Sequence, residues 1–168
     1  MLRSVYGSLF GSQELIQIPV VRPMVEPSQT TTAGNKKVGF DDVIYMIKNP
    51  KPIFMLINTM PLSEQDNLIK NTISYQMEEK IINDILQDYT KNPEHYLIIV
   101  YGKNGADDSV DKKYKQLTGF GFPNTFVYYG GMFEWILLQD VYGKEYFPTT
   151  NTEIKDPLKY MVKRKIIV

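Results

Sequence analysis

The sequence contains no cysteine. That absence excludes thiol nucleophiles, disulfides, iron–sulfur ligation and cysteine-type zinc sites. Histidine is nearly absent as well. His95 is the only one, so a histidine-built metal site is excluded and nucleophilic catalysis has a single candidate imidazole base. His95 follows Pro93-Glu94 just ahead of an apolar segment, which places it at the surface. Neither sign of charge is in excess: 19 Lys and Arg residues balance 19 Asp and Glu residues. A balanced chain sets up no global field for nucleic acid or an anionic membrane, and neither is expected as a partner. No apolar run approaches the roughly 20 residues that span a bilayer. Asp107 and Asp108 are adjacent carboxylates, too few for a hard-cation cage. No metal and no cofactor is expected.

What remains is a chain of 168 residues, 43% hydrophobic and 23% charged, which suits one globular domain with a full core. Residues 1–38 read differently from the rest. Pro19, Pro23 and Pro27 oppose both helix and interior strand. Residues 28–37 are a polar linker. Yet the segment carries apolar studs at Val5, Tyr6, Leu9, Phe10, Leu15, Ile16, Ile18, Val20 and Val21, too many for a solvated tail. The expected organisation is an extended arm over 1–38, a folded domain over 39–150 and an irregular tail over 151–168. Met1–Ser12 holds Arg3, Ser4 and Ser8 and no acid, a faint targeting signature. A cytoplasmic or cytoskeletal location, a cilium included, is favoured over a mitochondrial one.

Three apolar runs of strand length punctuate the domain: Ile53–Ile57, Tyr96–Tyr101 and Asn124–Tyr129. Runs with no polar alternation suit strands buried on both faces of a parallel sheet. Thr72–Tyr75 is a further short strand candidate. Helical spacing predicts helices over Asp42–Lys48, capped by Asp41 or Asp42, and over Met77–Tyr89. Met77, Ile81, Ile82, Ile85 and Leu86 line one face of the latter. Two more are predicted from Asp108 or Ser109 to Leu117 and over Met132–Asp140, with a short turn of helix near Asp156–Val162. Alternating strands and helices predict an α/β fold, a mostly parallel central sheet flanked by helices. Ligands of such sheets bind at the carboxyl ends of strands, which directs attention to the loop after Tyr101.

That loop is Gly102-Lys103-Asn104-Gly105-Ala106-Asp107. It joins a buried strand to a helix N-terminus, where backbone N–H groups and the helix dipole favour an anion. It resembles the active-site loop of the rhodanese family, in which a reactive cysteine follows the strand directly and an arginine often closes the loop. Downstream, Gly121-Phe122, Asn124, Val127, Gly130-Gly131 and Trp135 resemble the family's glycine-phenylalanine, strand, double glycine and tryptophan. Upstream, Leu56-Ile57-Asn58 is similar to a family strand that usually ends in aspartate. Leu68–Ile73 resembles the segment ahead of the next strand, without its usual proline and glycine. The resemblance covers roughly residues 39–140 and implies a rhodanese-like three-layer fold. Phe133–Gly143 followed by Phe147-Pro148-Thr149-Thr150 is similar to a divergent rhodanese-like group of protists and large DNA viruses that lacks the sulfur-carrying residue.

The departures from the family pattern bear on function. The resemblance puts Gly102 at the cysteine position, where no persulfide can form. Asp107 stands where a cation would help to hold an anionic sulfur donor. An aspartate at a helix start is explained by capping. Asn58-Thr59 lies at a strand end and is expected to line the vestigial pocket. Trp135 is expected in the core, Glu78 and Glu79 on a solvated helix face, and one of Tyr128 and Tyr129 toward solvent. The expectation is a non-catalytic structural or adaptor subunit of a large assembly, such as a ciliary microtubule lattice or a viral capsid. Its arm would bind a protein partner through Val5, Tyr6, Leu9, Phe10, Ile16, Ile18, Val20 and Val21. The alternative is a module that binds an anion or phosphopeptide at the vestigial loop through Lys103-Asn104-Gly105.

Overall fold

A strand with apolar side chains on both faces must be covered twice. The computed structural model describes residues 34–151, 153, 156–163 and 166. In it β1 (Phe54–Asn58), β2 (Leu97–Tyr101) and β3 (Thr125–Tyr128) form a parallel sheet in the order β1-β2-β3. Leu56 stands opposite Ile99, and Val100 opposite Val127. Helices α1 (Phe40–Lys48) and α4 (Gly131–Tyr142) cover one face, and α2 (Tyr75–Gln87) and α3 (Ser109–Gly119) the other. Strand alternation sorts the core in two. Leu56, Ile99, Tyr101 and Tyr128 pack with Val43, Met46, Met132, Trp135 and Ile136. Met55, Ile57, Ile98, Val100 and Val127 pack with Ile82, Ile85, Val110 and Leu117. This is the three-layer α/β arrangement that the strand–helix alternation predicts.

Short pairings extend the sheet at both margins. Lys37 bridges to Val127, and Thr72 to Leu56, both in parallel sense. The Lys37 bridge is firmly held: Val127 N–H donates to the Lys36 carbonyl at 2.7 Å and Val38 N–H to the Val127 carbonyl at 3.0 Å. Asn35 adds side-chain bonds to Asp111 at 2.6 Å and to the Tyr129 hydroxyl at 3.1 Å. Residues 35–38, which the sequence reading assigns to the arm, thus run beside β3. The studs Val5, Tyr6, Leu9, Phe10, Leu15, Ile16, Ile18, Val20 and Val21 lie outside the described residues.

Element ends differ from the sequence expectation for local reasons. α1 begins at Phe40 because Asp42 caps from the third helical position, its carboxylate accepting the Gly39 N–H at 3.1 Å. α2 begins two residues early, at Tyr75, so Thr72–Tyr75 is no strand beyond its single bridge. α2 also stops at Gln87, where Asp88 accepts both the Thr90 N–H at 3.0 Å and the Thr90 hydroxyl at 2.6 Å and turns the chain aside. Its buried row is Ile82 and Ile85; Met77 and Leu86, expected on that face, are exposed. α4 continues to Tyr142 and ends at Gly143, whose φ of 93° suits glycine. The tail makes one short turn, Pro157–Tyr160, and buries Tyr160 completely.

Candidate functional site

The loop after β2 is built from the chain's own hydrogen bonds. Gly102 ends at the sheet's carboxyl edge, and residues 102–107 curl back toward α3. Asp107 is the hub. Its Oδ2 accepts the Lys103 N–H at 3.0 Å, and its Oδ1 accepts the Ser109 N–H at 3.0 Å and the Ser109 hydroxyl at 2.5 Å. Ser109 Oγ lies 2.7 Å from Thr59 Oγ1, which ties the loop to the chain after β1. The N–H groups that would cradle an external anion at this helix start therefore hold an internal one.

This carboxylate also fills the space in front of Gly102. A Cβ placed on Gly102 would lie 2.5 Å from Asp107 Oδ2, 2.7 Å from Val110 Cγ2 and 2.9 Å from Thr59 Oγ1. All three are below any ordinary non-bonded approach. The backbone at Gly102 is not in the left-handed region, so the obstacle to a side chain is steric and not conformational.

The opposite wall of the loop is the start of α4. Met132 N–H donates to the Gly102 carbonyl and Phe133 N–H to the Lys103 carbonyl, each at 3.0 Å. Gly131 makes that approach with φ at 59°, and a Cβ there would sit 2.5 Å from the Gly102 oxygen. Glycine is required on both counts. The neighbouring Gly130 lies under the Glu134 side chain, so a second helix N-terminus also carries one of the chain's own carboxylates. Burial and that nearby carboxylate push the Tyr128 phenol well above its ordinary range.

Lys103, the cation at the loop, is paired with Glu64 at 2.7 Å. The tail closes the remaining side: Asn104 Nδ2 donates to the Tyr160 carbonyl at 2.7 Å, and Asn104 Oδ1 accepts the Ala106 N–H at 3.0 Å. A shallow cavity of about 290 Å³ is left, lined by Met60, Glu64, Lys103, Asp107, Met161 and Lys163 among others.

The sequence model of the rhodanese-like domain matches residues 39–138, more than half of the chain. The chain belongs to the rhodanese-like family. No curated protein matches it in sequence. Among solved structures it is similar to a single-domain sulfurtransferase from Saccharomyces cerevisiae, at 20% identity and a TM-score of 0.46, covering 67% of this chain and 98% of the other. A rhodanese-like domain from Anabaena in solution matches at 16% identity and a TM-score of 0.47, covering 80% and 96%. A crystal structure of the same Anabaena protein matches at 17% identity and a TM-score of 0.49, covering 68% and 91%.

With no cysteine in the sequence, this rhodanese-like domain lacks the family's catalytic residue. The structure brings Gly102, Lys103, Asn104, Ala106 and Asp107 together with Thr59 in one loop cluster; Gly105 lies at its edge, 3.5 Å from the Tyr129 carbonyl if given a Cβ. Asp107 does cap α3, as its place at a helix start suggests, while Asp108 makes no side-chain cap. Trp135 is fully buried, its indole N–H donating to the Pro148 carbonyl at 3.2 Å. Tyr128 is buried and Tyr129 is not, and His95 is exposed. Glu79 is solvated as expected, but Glu78 is drawn into an ion pair with Lys113 at 2.7 Å.

Several residues of the site escaped the sequence reading: Glu64, Val110, Tyr160 and Asp107 in its role as filler. Only the last leaves a local signal. Aspartate two residues ahead of serine is the pattern of a side chain that folds back on its own backbone.

Proposed function

We propose that this rhodanese-like protein is a non-catalytic structural or adaptor subunit of a large assembly, docked through its N-terminal arm. One observation carries the non-catalytic part of that reading. The space that a side chain at position 102 would need is held by Asp107, Thr59 and Val110, so the loop is closed as well as thiol-free. A loop maintained for chemistry would keep its donors free for substrate; here the Lys103 and Ser109 N–H groups and the Lys103 ammonium are engaged internally. The same engagement weighs against the loop as an anion or phosphopeptide site.

The docking part rests on the apolar studs between Val5 and Val21, joined to the domain where residues 35–38 are fixed to β3. A firmly held root lets an arm transmit its attachment to the folded body. The experiment is deletion of residues 1–33, which spares the paired segment, followed by fractionation of the native assembly from cells expressing tagged protein. Truncated protein is expected to be lost from the assembly while remaining folded. Undiminished incorporation overturns the docking role, and sulfur transfer from thiosulfate to cyanide overturns the non-catalytic one.

A further inference from the structure

A groove lies beside α1, between its last turn and the chain that follows α4. Its volume is about 310 Å³, and Ile44, Ile47, Tyr146 and Pro148 give it an apolar lining. Ile44 and Ile47 are half-buried against the core, so this lining continues the core outward. Hydrogen bonds fix the walls. Lys70 N–H donates to the Pro148 carbonyl at 3.1 Å, Ile69 bridges to Thr149, and Gln139 Nε2 donates to the Phe147 carbonyl at 2.5 Å. A groove set in this way needs little reordering to receive a ligand.

The charged lining is one-sided. Lys48, Lys70 and Lys144 share the groove with Glu145 alone, a local excess in a chain with equal numbers of each sign. α1 ends at Lys48 and α4 ends at Tyr142, just ahead of Lys144, and each helix end brings about half a negative charge. The lysines still prevail. Lys48 and Lys70 are exposed and make no ion pair among the described residues. Lys48 Nζ lies 5.7 Å from the centre of the Tyr146 ring, so its ammonium is held over a groove-lining aromatic.

An outer helix ordinarily turns a polar face to solvent. α4 instead exposes Leu137, Val141 and Tyr142, Val141 at 72% and Tyr142 at 61%. This apolar patch reaches the groove through Phe147, whose ring centre lies 6.2 Å from that of Tyr142 and 5.7 Å from that of Phe40, and which stands in the chain between the groove residues Tyr146 and Pro148. Lysines on the rim of an apolar groove are complementary to a segment that sets carboxylates beside apolar side chains. From this arrangement we infer that the groove docks an acidic, aromatic-bearing segment of a partner protein. Its carboxylates meet Lys48, Lys70 and Lys144, and one aromatic side chain enters as the anchor against Ile44, Ile47 and Tyr146. Docking here is separate from any attachment through the N-terminal arm.

The test is an NMR titration of the full chain with a short synthetic peptide of alternating glutamate and phenylalanine. Shifts are expected at Ile47, Lys48, Lys70, Lys144 and Tyr146, with an affinity that falls as salt rises. The double variant Lys48→Gln, Lys70→Glu alters exposed side chains only, which guards against a folding artefact, and is expected to weaken binding roughly tenfold. Lys80→Glu, on α2 across the sheet, is expected to leave it unchanged. An unshifted spectrum at millimolar peptide overturns the site. So do equal shifts from a peptide with lysine in place of glutamate, or a double variant that binds as the parent does. Shifts with phosphatidylserine vesicles and none with the peptide would assign these lysines to a lipid surface and overturn the protein-segment reading.

Discussion

Replacing Gly102 by alanine provides a test in which two rules give opposite signs. At a glycine outside the left-handed region, alanine ordinarily stabilises a protein by about 0.4–1 kcal/mol through the unfolded chain. Gly102 is such a glycine. Yet its new methyl would meet Asp107 Oδ2 at 2.5 Å, Val110 at 2.7 Å and Thr59 at 2.9 Å. Overpacking of this kind costs about 1–3 kcal/mol. Moving the carboxylate aside breaks charge-assisted bonds to the Lys103 and Ser109 N–H groups, each worth about 1.5–3 kcal/mol. Partial relaxation keeps the two from adding in full, so Gly102→Ala is expected to lose about 3 kcal/mol, a large share of the roughly 5–15 kcal/mol that holds a domain folded. Urea denaturation with unchanged slope measures it. Gly102→Cys is expected to behave alike and to show no sulfurtransferase turnover. Adding Asp107→Gly removes the main obstacle, so a double-mutant cycle is expected to show strong coupling between positions 102 and 107. A Gly102→Ala protein that gains stability, or additive effects in the cycle, would refute the account of Asp107 as the group that fills the site.

Two further outcomes follow from the same region. Gly131→Ala combines a φ of 59° with a 2.5 Å approach to the Gly102 carbonyl and is expected to cost about 2–3 kcal/mol in urea denaturation; parent-like stability would contradict the close packing of α4 on the loop. In alkali, Tyr101, Tyr128 and Tyr160 are expected to ionise late in an ultraviolet titration of the native protein. Burial is the main cause for each, and it pushes Tyr160, with Asp66 and Glu64 nearby, up to about 12. A raised folded-state value means that the native chain holds more protons than the unfolded one above pH of about 10, so stability is unaffected below that point and falls as pH rises toward 12. All tyrosines ionising together while the protein stays folded would contradict the burial.

Much of the fold could be read from the sequence because the strands announce themselves. Ile53–Ile57, Tyr96–Tyr101 and Asn124–Tyr129 have no polar alternation; the last two contain β2 and β3, and the first holds all of β1 but Asn58. Element ends were less legible, since they depend on single side chains: Asp42 reaching back to Gly39, or Asp88 capturing Thr90. The site was legible in part. A glycine after β2 and a glycine pair before Trp135 mark the loop and its wall. The filling of that loop was not, because it depends on contacts remote in sequence. Thr59 meets Ser109 across the sheet edge, Glu64 reaches Lys103, and the Tyr160 carbonyl holds Asn104. No spacing rule encodes those meetings.

The closure of the loop also bears on what a nucleophile at position 102 would require. A lost thiol alone is one substitution away from recovery, provided that the cradle still offers free N–H groups and space. Here three groups share the vacated space, and the anion that the cradle stabilises is the chain's own. Any side chain returned to position 102 must first displace Asp107, and doing so uncaps α3 through the Ser109 N–H. Recovery of the nucleophile and stability of the helix that would activate it are thus opposed. Such coupling ties the filling of the loop to the fold: each group that occupies the space in front of Gly102 also holds part of the structure, so no single change opens it without a structural loss.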